Sequence, residues 1–362
     1  MPGLVFERPP GKVSASVGGQ ALASPDIVVI GASAGGIEAL SCVLKGLPGK
    51  FPAAIFVVLH IAPHSPGYLP DILARAGPLP AEHARDRKPF RHGRVYVARP
   101  DHHLMLEPDG HMRATRGAKE NHARPAVDPL FRSAALAFGP RVIGVVLSGG
   151  LDDGTAGLRG IKMCGGTAVV QDPADAVVSS MPATALRHVS IDYCRPADQI
   201  GPLLAGLVTR PVPQHIVPEA DMRKQLELEV DIAKGGDRSA EVTRIGQPSM
   251  FTCPECHGTL MRMRGERPSR FRCHTGHAFT ADSLLAELTE ATEESIWNAI
   301  RSLQESSMLM THLADHWRDS DPDVAAELVR KAQAARRRAD LVRDAAAEQE
   351  VESEEKIQAR AT

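Results

Sequence analysis

Residues 26–208 predict an α/β fold built on a doubly wound, mostly parallel sheet; a small module bearing cysteine and histidine and then an α-helical hairpin follow it. Three observations carry this reading. Short apolar runs lack the inward/outward alternation of a half-exposed sheet, so both of their faces must be covered. Helix-patterned segments separate them, as crossovers between parallel strands require. After Thr209 the composition turns abruptly to proline and charge.

The elements follow in order. DIVVIG (26–31) is a short buried strand, and GIEALSCVLKGL after it has helical spacing. AAIFVVLH (53–60) is a second buried strand, and GYLPDILARA reads as a helix despite its proline. GRVYVARPDHHLMLE (93–107) alternates and predicts a hairpin. VDPLFRSAALAFG is a helix that stops on glycine. RVIGVVLSG (141–149) and TAVVQD are strands around the helical GTAGLRGIKMCGG, and MPATALRHV and ADQIGPLLAGLV are helical. Residues 209–249 form a linker containing the helix-like DMRKQLELEVDIA and the polar KGGDRSAEVTRIGQPSM. The cysteines and histidines occupy 250–280. Two helices fill 281–350, the second starting at SDPD (320–323), where a cap precedes a proline. Their expected core is Leu284, Leu285, Leu288, Ile296, Ile300, Leu303 and Leu313. Residues 1–24 read as a disordered leader and 351–362 as a charged tail.

Composition bounds the function. At 43% hydrophobic residues the chain of 362 can bury a sizeable core, and a net charge of −2 gives no sign of a nucleic-acid partner. Six cysteines are too sparse for a disulfide scaffold and fit a reducing, cytoplasmic compartment. No apolar stretch reaches transmembrane length, so membrane insertion is not expected.

The turn GASAGG (31–36) admits two chemistries. A dinucleotide-binding loop wants G-x-G-x-x-G and an acid after the next strand. Here Ser33 takes the middle glycine position and the next strand ends in His60. Alternatively, Gly31-Ala32-Ser33-Ala34-Gly35 is a G-x-S-x-G turn that lifts a nucleophilic serine above the sheet. A base and an orienting acid must then lie past other strand ends, which parallel strands bring to one edge. His60 ends one strand, and Asp152 and Asp153 follow another.

Cys253-x-x-Cys256 and Cys273-x-x-x-His277, sixteen residues apart, have the two-knuckle spacing of a structural zinc ribbon, with His257 and His274 as competing ligands. So small a segment needs such a staple to stay folded.

VVIGASAGGIEAL, VVLHIAPHSPGYLPDIL, VYVARPDHHLML, RPAVDPLFRSAA, GVVLSGGLDDGTAGLRGIKMCGGTAVVQD and SSMPATAL occur in order over residues 26–208. In this the chain resembles the catalytic domain of the CheB-type protein-glutamate methylesterases of bacterial chemotaxis. The resemblance implies that Ser33 is the nucleophile, His60 the base and Asp153, rather than Asp152, the orienting acid. It implies hydrolysis of glutamate γ-methyl esters on chemoreceptor helices, with methanol as product and no catalytic cofactor. Ala34 and Gly35 are the expected oxyanion donors. Arg124, with Arg99, His102 and His103, is a candidate substrate contact. Departures are Ser148-Gly149-Gly150-Leu151 in place of T-G-M-G, and Asn121-His122-Ala123-Arg124 with a displaced histidine. Familiar members carry an N-terminal receiver domain, which is not expected here. The zinc module and helices are expected to dock other chemosensory proteins and to leave the catalytic edge uncovered, so that cutting after Thr209 spares small-ester hydrolysis. A non-enzymatic signalling or scaffold module retaining this fold is the competing reading.

Overall fold

A computed structural model describes residues 24–212, 218–236, 239–264 and 268–347; the expected leader and charged tail lie outside them but for Ser24. The chain falls into two compact units, Met1–Ser283 and Leu284–Thr362.

In the first unit the elements run β1 (Ile27–Ala32), α1 (Gly36–Lys45), β2 (Ala54–Leu59), α2 (Leu69–Ala76), β3 (Ala81–His83), β4 (Val95–Val97), β5 (His103–Leu106), β6 (Met112–Thr115), α3 (Val127–Phe138), β7 (Val142–Val146), α4 (Thr155–Met163), β8 (Thr167–Gln171), α5 (Ser180–His188), β9 (Tyr193–Arg195) and α6 (Ala197–Leu207). Seven strands form one sheet in the order β3-β4-β2-β1-β7-β8-β9, every pairing parallel. The absence of alternation in the sequence has its expected cause. Along β1, Ile27 and Val29 enter one core with Leu130, Phe131, Leu158 and Met181. Val28 and Ile30 enter another with Leu40, Val43, Leu73 and Leu204. The chain leaves β1 toward β2 on one side and returns at β7 on the other, which opens a crevice at the C-terminal strand ends.

The predicted hairpin at 93–107 is displaced. β4 is a parallel member of the main sheet, and the hairpin is β5 with β6, Leu104 facing Ala114. Alternation did not distinguish the two arrangements because β4 and β5 are both buried on each face.

Beyond β9 and α6 come α7 (Ala220–Ala233), α8 (Ser239–Ile245) and a four-stranded antiparallel ribbon of β10 (Gly246–Thr252), β11 (Thr259–Met263), β12 (Arg270–Cys273) and β13 (Ala278–Thr280). A buried ion network keys this ribbon to the sheet domain. Arg270 donates to both oxygens of Glu229 on α7, at 3.1 and 2.7 Å. Arg272 bridges Glu120 and Glu229, 3.2 Å from each, and Arg132 of α3 pairs with the same two carboxylates. All five side chains are at most 4% exposed. Removing one partner of such a network strands an uncompensated charge, which costs about 3–5 kcal/mol. Cutting after Thr209 would remove Glu229, Arg270 and Arg272 together and leave Arg132 and Glu120 paired with each other but uncovered.

The second unit contains most of α9 (Ala281–Trp317) and α10 (Pro322–Ala347). Its seam is largely alanine: Ala314, Ala325, Ala332, Ala335 and Ala339 are buried with Ile300, and Ser307 Oγ donates to Ala332 O at 2.9 Å. Small residues let the two backbones approach closely. Leu313, expected in the core, is exposed, one residue off that seam.

Candidate active site

The ladder around β1 continues past its last residue. Leu147 N–H donates to Gly31 O (2.9 Å), His60 N–H to Ala32 O (3.1 Å) and Ser33 N–H to Ser148 O (2.9 Å). Ser33 is therefore fixed between the ends of β2 and β7. Gly36 N–H then bonds back to Ser33 O at 2.9 Å, and Gly35, at φ 71°, turns the chain into α1. That left-handed conformation is one glycine adopts freely. Ser148 Oγ donates to Ala34 O at 2.7 Å and locks the turn from below. Gly149 lies against it so closely that an added Cβ would overlap Met181 and stand 2.8 Å from Ser33 Cβ. Ser148, which stands where the family pattern has threonine, thus packs the nucleophile turn together with Gly149.

His60 Nε2 lies 2.8 Å from Asp153 Oδ2, with side chains 21% and 2% exposed. Donation of Nε2–H to the carboxylate leaves Nδ1 as the basic ring nitrogen. Asp153 sits where two helices begin. Its Oδ2 also accepts from Val127 N (2.6 Å), and its Oδ1 from Asp128 N (3.2 Å), Gly154 N (2.9 Å) and Asn121 Nδ2 (3.0 Å). Burial alone would raise the acid. The hydrogen bond and charge of His60, with the donors of Val127 and Asn121, outweigh it and hold Asp153 below the usual carboxylate range. Asp152 behaves oppositely. It is buried, accepts from Thr280 Oγ1 at 2.7 Å, and is pushed up to about 8 by desolvation. Two adjacent aspartates are thereby divided into an anion beside His60 and a neutral acid facing the ribbon.

The remaining candidates fall as follows. Ala34 and Gly35 lie between Ser33 and the N-terminus of α1. Arg124 is held by Asp101, Nε to Oδ1 at 2.8 Å, and by Gly117 O at 2.8 Å. His103 is fully buried, bonded to Ala118 O and Ala126 N, and so cannot face a substrate. Asn121 and Thr280, which contact the two aspartates, carried no role in the sequence reading. Asn121 is only one letter of the departing Asn121-His122-Ala123-Arg124 stretch, and Thr280 lies far along the chain.

Cys253, Cys256, Cys273 and His277 bring their ligand atoms within 4.8 Å of one another. Cys256 Sγ is 3.7 Å from Cys273 Sγ, and His277 Nδ1 lies 3.8 and 3.6 Å from Cys253 and Cys273 Sγ. Tetrahedral coordination with ordinary zinc bond lengths gives edges of roughly 3.5–3.8 Å. The residues fit the metal.

A sequence profile of the family described as CheB methylesterase matches residues 28–204. A Leptospira interrogans protein provisionally named for protein-glutamate methylesterase and protein-glutamine glutaminase is 38% identical over 182 residues, which is 50% of this chain and 94% of that one. The chain belongs to the CheB methylesterase family. An Anaeromyxobacter dehalogenans relative named protein-glutamate methylesterase/protein-glutamine glutaminase 2 is 43% identical over 175 residues, and the match spans 51% of it. The CheB methylesterase catalytic domain of Thermotoga maritima is matched along its full length by 51% of this chain, at 36% identity and a TM-score of 0.50. The CheB fold is thus the sheet domain alone. Among the described residues no helix is long and apolar enough to cross a membrane.

Proposed function

We propose that this CheB-family chain hydrolyses glutamate γ-methyl esters on the cytoplasmic helices of chemoreceptors, releasing methanol, through Ser33, His60 and Asp153. The observation that carries the proposal is the 2.8 Å His60–Asp153 pair at the strand end adjoining Ser33. His60 Nδ1 takes the serine proton during attack, and Asp153 holds the tautomer and stabilises the imidazolium. Ala34 and Gly35 N–H groups receive the oxyanion. His60 returns the proton to departing methanol, and water activated by the same ring hydrolyses the glutamyl-serine ester. The relatives' double name fits one acyl-enzyme route, with ammonia leaving in place of methanol when the substrate is a glutamine side chain.

The Cys253–Cys256–Cys273–His277 cluster holds a structural zinc, since all four positions are filled by the protein. It is separate from the hydrolytic groups, and no step of ester cleavage passes through it. The helices after Ser283 serve to dock other chemosensory proteins. Their exposed Trp297, Met308, Leu309 and Trp317 support that role.

The test is methanol release from methylated receptor by wild type and Ser33→Ala. Loss of turnover in a folded Ser33→Ala protein is expected. Undiminished release would sink the covalent route, and absence of release from wild type would favour the non-enzymatic scaffold.

A further inference from the structure

We propose that Asn121 is a positioning residue for the Asp153 carboxylate and that the closed cysteine–histidine ribbon holds Asn121 there, so that the hydrolytic site depends on the ribbon. The proposal rests on the Ser33–His60–Asp153 reading and adds a dependence that reading does not contain.

The Asn121 amide is fixed from both ends. Its Nδ2 donates to Asp153 Oδ1 at 3.0 Å. Its Oδ1 accepts from Thr280 N and Ser283 Oγ, each at 3.1 Å. With two donors on the oxygen, only the NH2 can face the carboxylate. Both donors come from the end of β13 and the residues just after it, and β13 starts at the residue following His277. Asn121 N–H donates to Ala278 O (2.8 Å), and Ala278 N–H to Lys119 O (3.2 Å).

The other knuckle holds the same segment. Glu255, between Cys253 and Cys256, accepts from Lys119 Nζ at 2.8 Å and lies 3.1 Å from His122 Nδ1. Arg272 ties Glu120, the residue before Asn121, to Gly276 O within the second knuckle. Asn121 and His122, at φ of 49° and 60°, are the central residues of a tight turn closed by Ala123 N–H to Glu120 O (2.9 Å) and Glu120 N–H to Ala123 O (3.2 Å), so the ribbon holds a preformed turn by its flanks and its side chains. Asn121, Thr280 and Ser283 are all buried, so in the closed ribbon the protein's own groups satisfy these polar atoms.

Opening the ribbon would therefore move β13, free the Asn121 amide and let Asp153 turn away from His60. Val127, Asp128 and Gly154 would still donate to Asp153, which keeps it ionised. What is lost is its position. The expected effect is thus smaller than loss of the carboxylate itself, about 10²-fold in kcat, the scale of a displacement near 1 Å.

The experiment uses the full-length zinc-loaded chain and p-nitrophenyl acetate, with three readouts: kcat and KM, the low-field proton resonance of His60 Nε2–H, and the rate at which a fluorophosphonate labels Ser33. Asn121→Ala and Asn121→Leu should each lower kcat about 10²-fold with KM nearly unchanged, slow the labelling and shift or broaden the His60 signal. Asn121→Leu fills the volume of the amide without any polar atom, so a loss shared by both variants comes from the missing hydrogen bond and not from a cavity. Stripping zinc from the wild-type chain with phenanthroline should produce the same three changes, and added zinc should reverse them. Wild-type kcat and an unmoved His60 signal in the Asn121 variants, or after verified zinc removal, would overturn the proposal. If those results come with an inactive Ser33→Ala, the triad stands and only the ribbon dependence falls. An active Ser33→Ala overturns the triad itself.

Discussion

Replacing Asp153 with asparagine tests the triad sharply, because the surrounding donors dictate how the new amide must sit. Three N–H groups converge on Oδ1: Asn121 Nδ2 at 3.0 Å, Asp128 N at 3.2 Å and Gly154 N at 2.9 Å. Oδ2 receives Val127 N at 2.6 Å and His60 Nε2 at 2.8 Å. The asparagine oxygen takes the side with three fixed donors, which turns its NH2 toward Val127 and His60. His60 can meet an NH2 only with a bare Nε2, so its proton moves to Nδ1. That nitrogen then cannot accept the proton of Ser33. A wrong-tautomer histidine in a serine triad costs about 10⁴-fold in kcat, or ~5 kcal/mol at 1.36 kcal/mol per decade. Val127 N–H also loses its acceptor, which should lower stability by about 1–3 kcal/mol. The assay is kcat for methanol release from methylated receptor, with urea unfolding as the stability measure. An Asp153→Asn enzyme within about tenfold of wild type would refute the tautomer argument, and an inactive Asp152→Asn beside it would show that the wrong aspartate has been assigned.

Asp152→Asn should keep near-wild-type turnover and gain stability as pH rises. The folded-state Asp152 is raised from 3.8 to about 8, so the native protein binds a proton that the unfolded chain gives up, and wild-type stability falls between those pH values. Thermal melts should show no gap near pH 4 and a gap growing to as much as ~4 kcal/mol at pH 7; a constant gap would contradict the assignment of a neutral buried acid. Metal analysis of purified protein should find one zinc per chain, lost in Cys256→Ser; a folded ribbon without metal would exclude the site. Glu229→Gln should destabilise the chain by about 3 kcal/mol in urea, because Arg132, Arg270 and Arg272 all face that carboxylate; an unchanged midpoint would mean that these arginines are compensated without it.

What could be read from the sequence follows from how local each signal is. β1, β2 and β7 are continuous apolar runs because both of their faces are buried, and the chain placed Ser33, His60 and the two aspartates at their ends. β3 (AEH) and β9 (YCR) gave no such run, since edge strands of three half-buried residues need no apolar pattern. The choice between Asp152 and Asp153 was not local either. Both follow β7, and only the donors of α3, α4 and Asn121 make one an anion while Thr280 and burial keep the other neutral. The same limit hid the ribbon's reach. GTLMRMRGERPSRFR, which bears Arg270 and Arg272, does not announce their burial, because arginine in a single sequence signals exposure. Their burial becomes intelligible only once Glu120 and Glu229, from a loop and from a segment that reads as linker, arrive to neutralise them. Charges buried in this way contribute little net stability, yet each strongly disfavours any arrangement that separates it from its partners. A network of that kind fixes one docking of ribbon on sheet, and that docking puts the end of β13 against the side chain holding Asp153.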